Sequence, residues 1–264
     1  DSLSAMRATA AINNALDTGV EVRALFDAPT VAGLVERMNT GGRVVAPLVA
    51  RERPAVLPLS FAQSRLWFLD QFQGGSPVYH MAVALRLRGD LDAEALGLAL
   101  SDVVDRHEAL RTVFVATDGV PAQVVLTATQ ADIGWTVVDA AGWSTDRLRA
   151  AVDEVTCRNF DLATEIPLRA RLFRISADEH VLVAVAHHIA ADGWSVAPLM
   201  RDLTAAYAAR RAGRAPQWRP LPVQYADYTL WQREQLGDLD NPDSTMAAQL
   251  RYWQDTLAGM PQRI

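Results

Sequence analysis

The chain has 264 residues, and its 50% of hydrophobic and 21% of charged residues are typical of a globular protein. A formal net charge of −6 argues against a nucleic-acid partner, and no apolar run approaches the length of about 18 residues that predicts a membrane span. Arginine supplies all 25 of the Lys and Arg side chains, which excludes lysine-amine chemistry, and the lone Cys157 is predicted to be buried within a helix of a cytoplasmic protein without disulfides.

The first 39 residues predict three short helices. Apolar residues recur at helical spacing over 2–16, a short helical turn is expected at 23–26, and a third helix is expected at 31–38. Their apolar stripes are too small for a core of their own, so we predict the rear part of a small helical bundle. The chain opens at a helix start rather than on methionine, as we expect of a piece of a longer protein. Residues 40–57 lack a period and contain four glycines or prolines, at 41, 42, 47 and 54, which predicts a linker.

Residues 58–264 predict a second, larger domain in which helices and strands mix. The apolar patterns predict helices at 59–72, 91–111, 145–160, 194–211, 225–236 and 247–257, and strands at 78–88, 112–115, 122–126, 135–138, 168–175 and 180–186. Asp118-Gly119 is typical of a hairpin turn. Because the strands do not alternate regularly with helices, the fold class is α/β or α+β with a mixed sheet.

A polar stretch, residues 187–193 (HHIAADG), stands where the Val-rich strand gives way to a helix. Neighbouring strand side chains point to opposite faces, so one histidine faces the core and the other the open side, which argues against a shared metal ion. The open-side histidine is a candidate base or positioning group, and the Gly193 N–H is a candidate donor to an oxyanion. Asp192 could cap the next helix, orient an imidazole or pair with an arginine. The alternative is a purely structural stretch, in which a buried histidine makes its hydrogen bonds within the core and the aspartate caps the next helix.

Four stretches in order closely resemble the motifs of the condensation domains of nonribosomal peptide synthetases. They are residues 60–69 (SFAQSRLWFL), 106–114 (RHEALRTVF), 187–193 (HHIAADG, followed by Trp194) and 225–231 (YADYTLW). The resemblance implies a chloramphenicol-acetyltransferase-like fold, of which residues 58–264 would form the N-terminal lobe. The C-terminal lobe of the same domain would then be a missing partner.

Residues 1–39 resemble the C-terminal part of a peptidyl carrier protein. Asp1-Ser2-Leu3 is similar to the end of the attachment motif, and residues 22–31 (VRALFDAPTV) are similar to the later helices. The resemblance implies that Ser2 carries 4′-phosphopantetheine as the cofactor, with no metal. The glycine pair that precedes this serine in the family is not in the sequence. The alternative for Ser2 is a plain helix cap, and Ser4 is the neighbour that could be confused with it.

The resemblance to condensation domains implies formation of a peptide bond between two carrier-bound thioesters. His188 would act on the acceptor amine, as a base or as the group that positions it, and the Gly193 N–H would bind the oxyanion. His187 would be an inward packing residue. Asp192 would be structural and pair with Arg106 or Arg111, between which the sequence does not choose.

The resemblance also implies upstream and downstream carrier domains and an adjacent adenylation domain as partners, and no nucleic acid or membrane. Three alternatives share the motif: an epimerisation domain, a coenzyme A-dependent acyltransferase and a non-catalytic carrier-docking domain. Trp194 after Gly193 favours condensation over epimerisation. The carrier-like segment in the same chain argues against an acyltransferase that uses free coenzyme A. Residues 187–193 do not show the DxxxxD pattern of a cyclisation domain. A carrier directly upstream favours an L-configured donor.

Overall fold

The computed structural model describes residues 2–16, 18–38 and 46–260. The chain divides into two compact units, Asp1–Leu48 and Val49–Ile264. Residues 40–45 of the predicted linker lie outside the described residues, and the predicted domain boundaries stay predictions. No helix within the described ranges is both long and apolar enough to cross a membrane.

Three helices form the first unit: α1 (Ser2–Leu16), α2 (Val22–Asp27) and α3 (Val31–Met38). Their positions confirm the helices expected from the sequence. The Asn13 side chain fixes the connection after α1, because its Nδ2 donates to the Val20 carbonyl (3.0 Å) and its Oδ1 accepts from the Val20 N–H (2.9 Å). Val20 and Leu34 are the buried apolar residues described in this unit.

Two sheets form the framework of the second unit. The strands are β1 (Leu57–Pro58), β2 (His80–Arg88), β3 (Thr112–Thr117), β4 (Val120–Val125), β5 (Thr136–Asp139), β6 (Leu168–Arg174) and β7 (Glu179–His187). The smaller sheet has the order β1-β4-β3, and the larger sheet has the order β2-β7-β6-β5. Strands β5 and β6 are parallel whereas the other pairs are antiparallel, which confirms the mixed sheet. Asp118 and Gly119 both have positive φ, as the predicted two-residue hairpin turn requires.

The helices of this unit are α4 (Phe61–Gln73), α5 (Ala93–Arg106), α6 (Thr145–Cys157), α7 (Val196–Arg211), α8 (Tyr225–Leu236) and α9 (Thr245–Thr256). The predicted helix over 91–111 was too long. Helix α5 ends at Arg106, because His107 has an extended backbone, and a 3₁₀ turn follows at Glu108–Arg111. The predicted burial of Cys157 was also wrong: it is exposed at the last position of α6, whose buried residue is Val155.

Strand β7 lies inside the larger sheet and is covered on both faces. Val181, Val183 and Val185 point to one face, where they join a core with Phe160 and Phe173. On the opposite face Leu182 packs with Leu172 of β6, together with residues of α5 and α7. This double burial explains the nearly continuous apolar sequence of the strand. The polar stretch after β7 therefore starts from a fixed point in the fold.

Candidate functional site

The turn of residues 188–195 connects β7 to α7 and carries the conspicuous polar motif. Neighbouring segments hold its beginning on both sides. The His187 N–H donates to the Pro167 carbonyl (3.0 Å), and the His188 N–H donates to the Tyr79 carbonyl (2.9 Å). The two histidines are thus placed by backbone hydrogen bonds before their side chains make any contact.

His187 lies inside the protein, with 1% of its surface exposed. Its ring centroid is 6.0 Å from that of His80 and 6.2 Å from that of Phe160, both in edge-to-face arrangements. The Nδ1 atom accepts a hydrogen bond from the Ile189 N–H (3.0 Å), so the neutral ring carries its proton on Nε2. Within the described part of the chain, the buried Nε2 has no hydrogen-bond partner.

The surroundings of His187 keep its ring uncharged. Burial is the largest cause that lowers its pKa, and the neighbouring His80 and His188 add to it, bringing the value to about 4. At neutral pH the ring is therefore neutral, and its Nδ1 lone pair is used to fix the turn. A group that is buried and engaged in this way packs and positions; it has no access to a substrate.

His188 is exposed, whereas its neighbour His187 is buried. The alternation of side chains along an extended strand explains this separation. Of the two histidines, His188 is the one that an external substrate can reach. Across residues 2–16, 18–38 and 46–260, no group of three His, Cys, Asp or Glu side chains is arranged to hold a metal ion.

Asp192 and Ser195 close the turn on each other. Asp192 Oδ1 accepts from both the Ser195 N–H (2.9 Å) and the Ser195 hydroxyl (2.7 Å), and that hydroxyl accepts from the Asp192 N–H (3.0 Å). Gly193 between them is exposed, and a Cβ at this position would meet no atom within 4 Å. Of the three possibilities that the sequence left open for Asp192, the structure shows the local cap.

The expected pairing of Asp192 with Arg106 or Arg111 is not what the structure shows. Arg106 Nε donates to Asp202 Oδ2 (2.8 Å), and Arg111 Nε donates to the Asp105 carbonyl (3.3 Å). The physical reason is position. Asp192 lies in the exposed turn before α7, whereas Asp202 lies on the face of α7 that packs against α5.

Sequence reasoning missed Asp202 as a member of this region. It is buried, with 8% of its surface exposed, and its Oδ2 also accepts from His107 Nε2 (2.9 Å). A signal was present in the sequence, because Asp202, Ala206 and Ala209 recur at helical spacing and form the buried stripe of α7. An aspartate in a stripe of alanines needs a polar partner on the facing helix.

The stretches 60–69 and 225–231 meet in a group of polar contacts. Ser60 caps α4 in a reciprocal capping box with Gln63, and its hydroxyl lies 3.0 Å from that of Tyr225 at the start of α8. Gln63 in turn donates to Gln123 of β4 (3.2 Å). These residues join α4, β4 and α8, so their contribution is to the framework.

Ser2, the expected attachment residue, is the first residue of α1. Its side chain lies outside the described part of the structure. Ser2 belongs to the first compact unit and His188 to the second.

Comparison with known proteins follows the same division of the chain. Residues 54–264 match the family model of the condensation domain, and residues 1–38 match that of the phosphopantetheine attachment site. The isonitrile lipopeptide synthase of Mycobacterium tuberculosis is 65% identical over 91% of this chain. The dimodular nonribosomal peptide synthase of Bacillus subtilis is 47% identical over 100% of it. The chain spans 10% and 11% of the lengths of these two relatives.

A solved structure supports the fold. The X-domain in the complex of the X-domain and OxyB from teicoplanin biosynthesis is 41% identical, with a TM-score of 0.76 over 84% of this chain and 48% of that one. This similarity confirms the predicted chloramphenicol-acetyltransferase-like fold. The phosphopantetheine attachment family at the N-terminus and the condensation family over the remainder show that this chain belongs to the condensation-domain family of nonribosomal peptide synthetases.

Proposed function

We propose that the chain forms a peptide bond between a donor acyl or peptidyl thioester and the amine of an acceptor aminoacyl thioester. The observation that carries the proposal is the exposed His188, which follows the buried strand β7 and precedes a turn fixed by Asp192 and Ser195. The motif lies within the residues that match the condensation family. A base beside a backbone N–H is the minimal arrangement for acyl transfer.

The chemistry makes modest demands on the protein. The acceptor amine attacks the carbonyl carbon of the donor thioester, the carbon–sulfur bond breaks, and the amine loses a proton as the donor thiol gains one. An α-amine with a pKa of about 7.7–8.0 is partly unprotonated near neutral pH, so nucleophile activation is a small part of the barrier. Positioning of the two substrates supplies most of the remainder.

Each residue of the motif then has a separate role. His188 accepts the proton of the attacking amine or holds the amine in place, and the Gly193 N–H donates to the oxygen that becomes negative in the tetrahedral intermediate. His187 is a packing residue that fixes the turn through Ile189. Asp192 is structural through Ser195, and Arg106 and Arg111 stabilise the framework through other partners.

The N-terminal unit supplies the attachment point for 4′-phosphopantetheine, whose thiol carries the acyl group as a thioester. We assign the attachment to Ser2, because the residue begins α1 within the range that matches the attachment-site family. The partners of this function are donor and acceptor carrier domains, an adenylation domain and the second lobe of the condensation fold. The reaction belongs in the cytoplasm, where activated amino acids are made.

The test is a product assay in the complete synthetase that carries this chain. His188→Ala should abolish the condensed product seen by mass spectrometry, while the mass added to Ser2 by phosphopantetheinyl transfer stays unchanged. The matched control is Asp90→Ala, because Asp90 is 95% exposed at the side chain and follows the end of β2 that lies far from the motif. Ser2→Ala should remove the added mass. Near-normal product from His188→Ala would refute the assignment.

A second candidate function follows from the 41% identity to the X-domain, which was solved in a complex with OxyB. By that analogy the chain would dock a partner enzyme and form no bond. The same assay separates the candidates. If both substrates are loaded and the unmodified synthetase gives no condensed product, the docking role is favoured. Incorporation of deuterium from solvent at the α-carbon of a loaded substrate would instead indicate epimerisation.

A further inference from the structure

We infer that Asp202 is a positioning residue for the turn that carries His188 and Gly193. Its carboxylate, held by Arg106 and His107, fixes the beginning of α7 relative to α5. We call these three residues the Asp202 clamp. The inference deepens the proposed function, and one of its two readouts does not depend on catalysis.

The contacts of the Asp202 clamp bring three segments together. Asp202 Oδ2 accepts from Arg106 Nε (2.8 Å) at the end of α5 and from His107 Nε2 (2.9 Å) just beyond it. Arg106 Nη1 also donates to the Arg219 carbonyl (2.8 Å), and its guanidinium lies 4.8 Å from the ring centre of Trp218. The loop after α7 is thereby tied to the same arginine.

The Asp202 clamp matters because α7 has little apolar anchoring of its own. All residues of this helix are described, and those that are buried are Asp202, Ala206 and Ala209. Leu199, Leu203 and Tyr207 are partly buried against the neighbouring cores. The fully buried alanines contribute little apolar surface, so specific polar contacts add to this packing in setting where the helix lies along α5.

A second ion pair joins the same two helices near the C-terminal end of α7. Arg210 of α7 donates to Asp102 of α5 through Nε (2.7 Å) and Nη2 (2.5 Å). Asp102 precedes Arg106 by four residues, while Arg210 follows Asp202 by eight, so the helices run antiparallel. At 1.5 Å per residue, Asp202 lies about 9 Å from the start of α7 and Arg210 about 21 Å from it.

This spacing gives the two ion pairs different consequences. If the Asp202 clamp is removed, the first turns of α7 can pivot about the remaining pair, and the turn 188–195 moves with them. If the Asp102–Arg210 pair is removed, the Asp202 clamp still holds the end that adjoins the turn. The two aspartates belong to ion pairs between the same helices, so each serves as the control for the other.

Charge as well as shape contributes to the Asp202 clamp. Burial raises the pKa of the Asp202 carboxyl, but the hydrogen bonds from His107 and Arg106 more than offset this, so the pKa lies below its ordinary value. The carboxylate is therefore ionised at neutral pH. Asparagine at this position keeps the shape and removes the charge, leaving the partly buried Arg106 without its counter-ion.

The first readout compares Asp202→Asn and Asp102→Asn in the complete synthetase. Both should lower the melting temperature. Asp202→Asn should lower kcat by about tenfold or more with little change in KM, because a displacement of the turn weakens the transition state more than substrate binding. Asp102→Asn should leave kcat within about twofold of the unmodified protein.

The second readout is amide hydrogen exchange over residues 188–195. The N–H groups of Ala190 and Ser195 donate within the turn (both 3.0 Å to backbone carbonyls), and they should exchange faster in Asp202→Asn but not in Asp102→Asn. If Asp202→Asn does not fold, His107→Ala can replace it. This variant removes one of the two donors to the Asp202 carboxylate, costs less stability, and can be compared with Asp102→Asn in the same way.

The outcomes separate the two proposals. Faster exchange confined to the Asp202 variant supports the Asp202 clamp, even if the unmodified synthetase forms no peptide bond, in which case the proposed function fails alone. Equal exchange in the two variants overturns the inference. A fall in kcat without faster exchange overturns it as well, since Asp202 would then act by some route other than the turn.

Discussion

The strand side and the helix side of the motif are built in different ways. Strand β7 is buried on both faces by valine and leucine side chains, and His187 continues that burial as a neutral ring beside Phe160. Helix α7 instead buries an aspartate and two alanines, and its ends are tied to α5 by ion pairs. One side of the turn is placed by packing, and the other side by charge.

The difference shows how the two ends of one turn can respond to different conditions. Apolar packing does not change with pH as long as His187 stays uncharged. The polar contacts of α7 depend on the ionisation of Asp202 and on a precise match between two helices. The Ile189 N–H links the sides, because it binds His187 Nδ1 within the turn itself.

The largest effect that we predict tests the packing side. Phe160→Ala should cost about 3–5 kcal/mol of stability, because a nearly buried ring is lost and a cavity is left. Since Phe160 lies beside the His187 ring, water admitted to the cavity can solvate the imidazolium, and the pKa of His187 should rise from about 4 towards its ordinary 6.5. Urea unfolding and an NMR titration of the histidines measure both changes.

The control is Phe72→Ala, because Phe72 is 77% exposed on α4 and its loss leaves no interior cavity. That variant should keep nearly the full stability and the low pKa of His187. A His187 pKa that stays near 4 in Phe160→Ala would show that burial by other neighbours is sufficient. The low pKa of His187 would then depend less on the Phe160 ring than their contact suggests.

The next effect is the dependence of stability on pH. The pKa of His187 is about 4 in the folded protein and 6.5 as its ordinary value, so the unfolded chain binds the proton first. This contribution is complete above pH 6.5 and is lost as the pH falls from 6.5 towards 4, by about 3 kcal/mol at most. His80, whose pKa burial also lowers, adds a loss of the same sign.

Variants isolate the share of His187 in this loss. His187→Gln should flatten the curve of unfolding free energy between pH 4 and 6.5, because it removes the buried imidazole that the unfolded chain protonates first. The exposed-site variant Phe72→Ala should keep the slope of the unmodified protein, because it removes no titratable group. Denaturant titrations at several pH values give the curves. Equal slopes for His187→Gln and the unmodified protein would contradict the view of His187 as a neutral buried ring.

The packing side was the more predictable of the two from the sequence. The valine-rich run predicted β7, alternation along it predicted that one histidine turns inward, and Asp118-Gly119 predicted a hairpin turn. These signals are local, since a period or a dipeptide is contained within a few residues. Family resemblance added the motif and the fold that the comparisons confirm.

The helix side was less predictable, because its contacts join residues far apart in the chain. Arg106 and Asp202 are 96 positions apart, and nothing in the spacing selects Asp202 over Asp192 as the partner. The choice depends on where α7 lies against α5, which is a property of the whole packed unit. The end of α5 at Arg106, rather than at 111, is part of the same arrangement, since it frees His107 to reach Asp202.

The smallest effect concerns the turn between the two sides. Asp192→Ala should cost about 1 kcal/mol, the usual value for the loss of a capping acceptor, because Ser195 loses the oxygen that binds its N–H and hydroxyl. Asp192→Asn should cost much less, since the amide oxygen can still accept from the Ser195 N–H. Melting temperatures of the two variants give the comparison.

Ser195→Ala completes a double-mutant cycle that decides how Asp192 acts. If the local cap is its whole contribution, the loss in Asp192→Ala/Ser195→Ala should be smaller than the sum of the two single losses, because both single variants remove the bond between the Ser195 hydroxyl and Asp192 Oδ1. Additive losses, with a cost of Asp192→Ala well above about 1 kcal/mol, would mean that Asp192 has a further partner, as the expected pairing with an arginine required. In that case an ion pair at Asp192 would help to hold the turn. The part of the molecule that is placed by charge would then include Asp192 as well as α7.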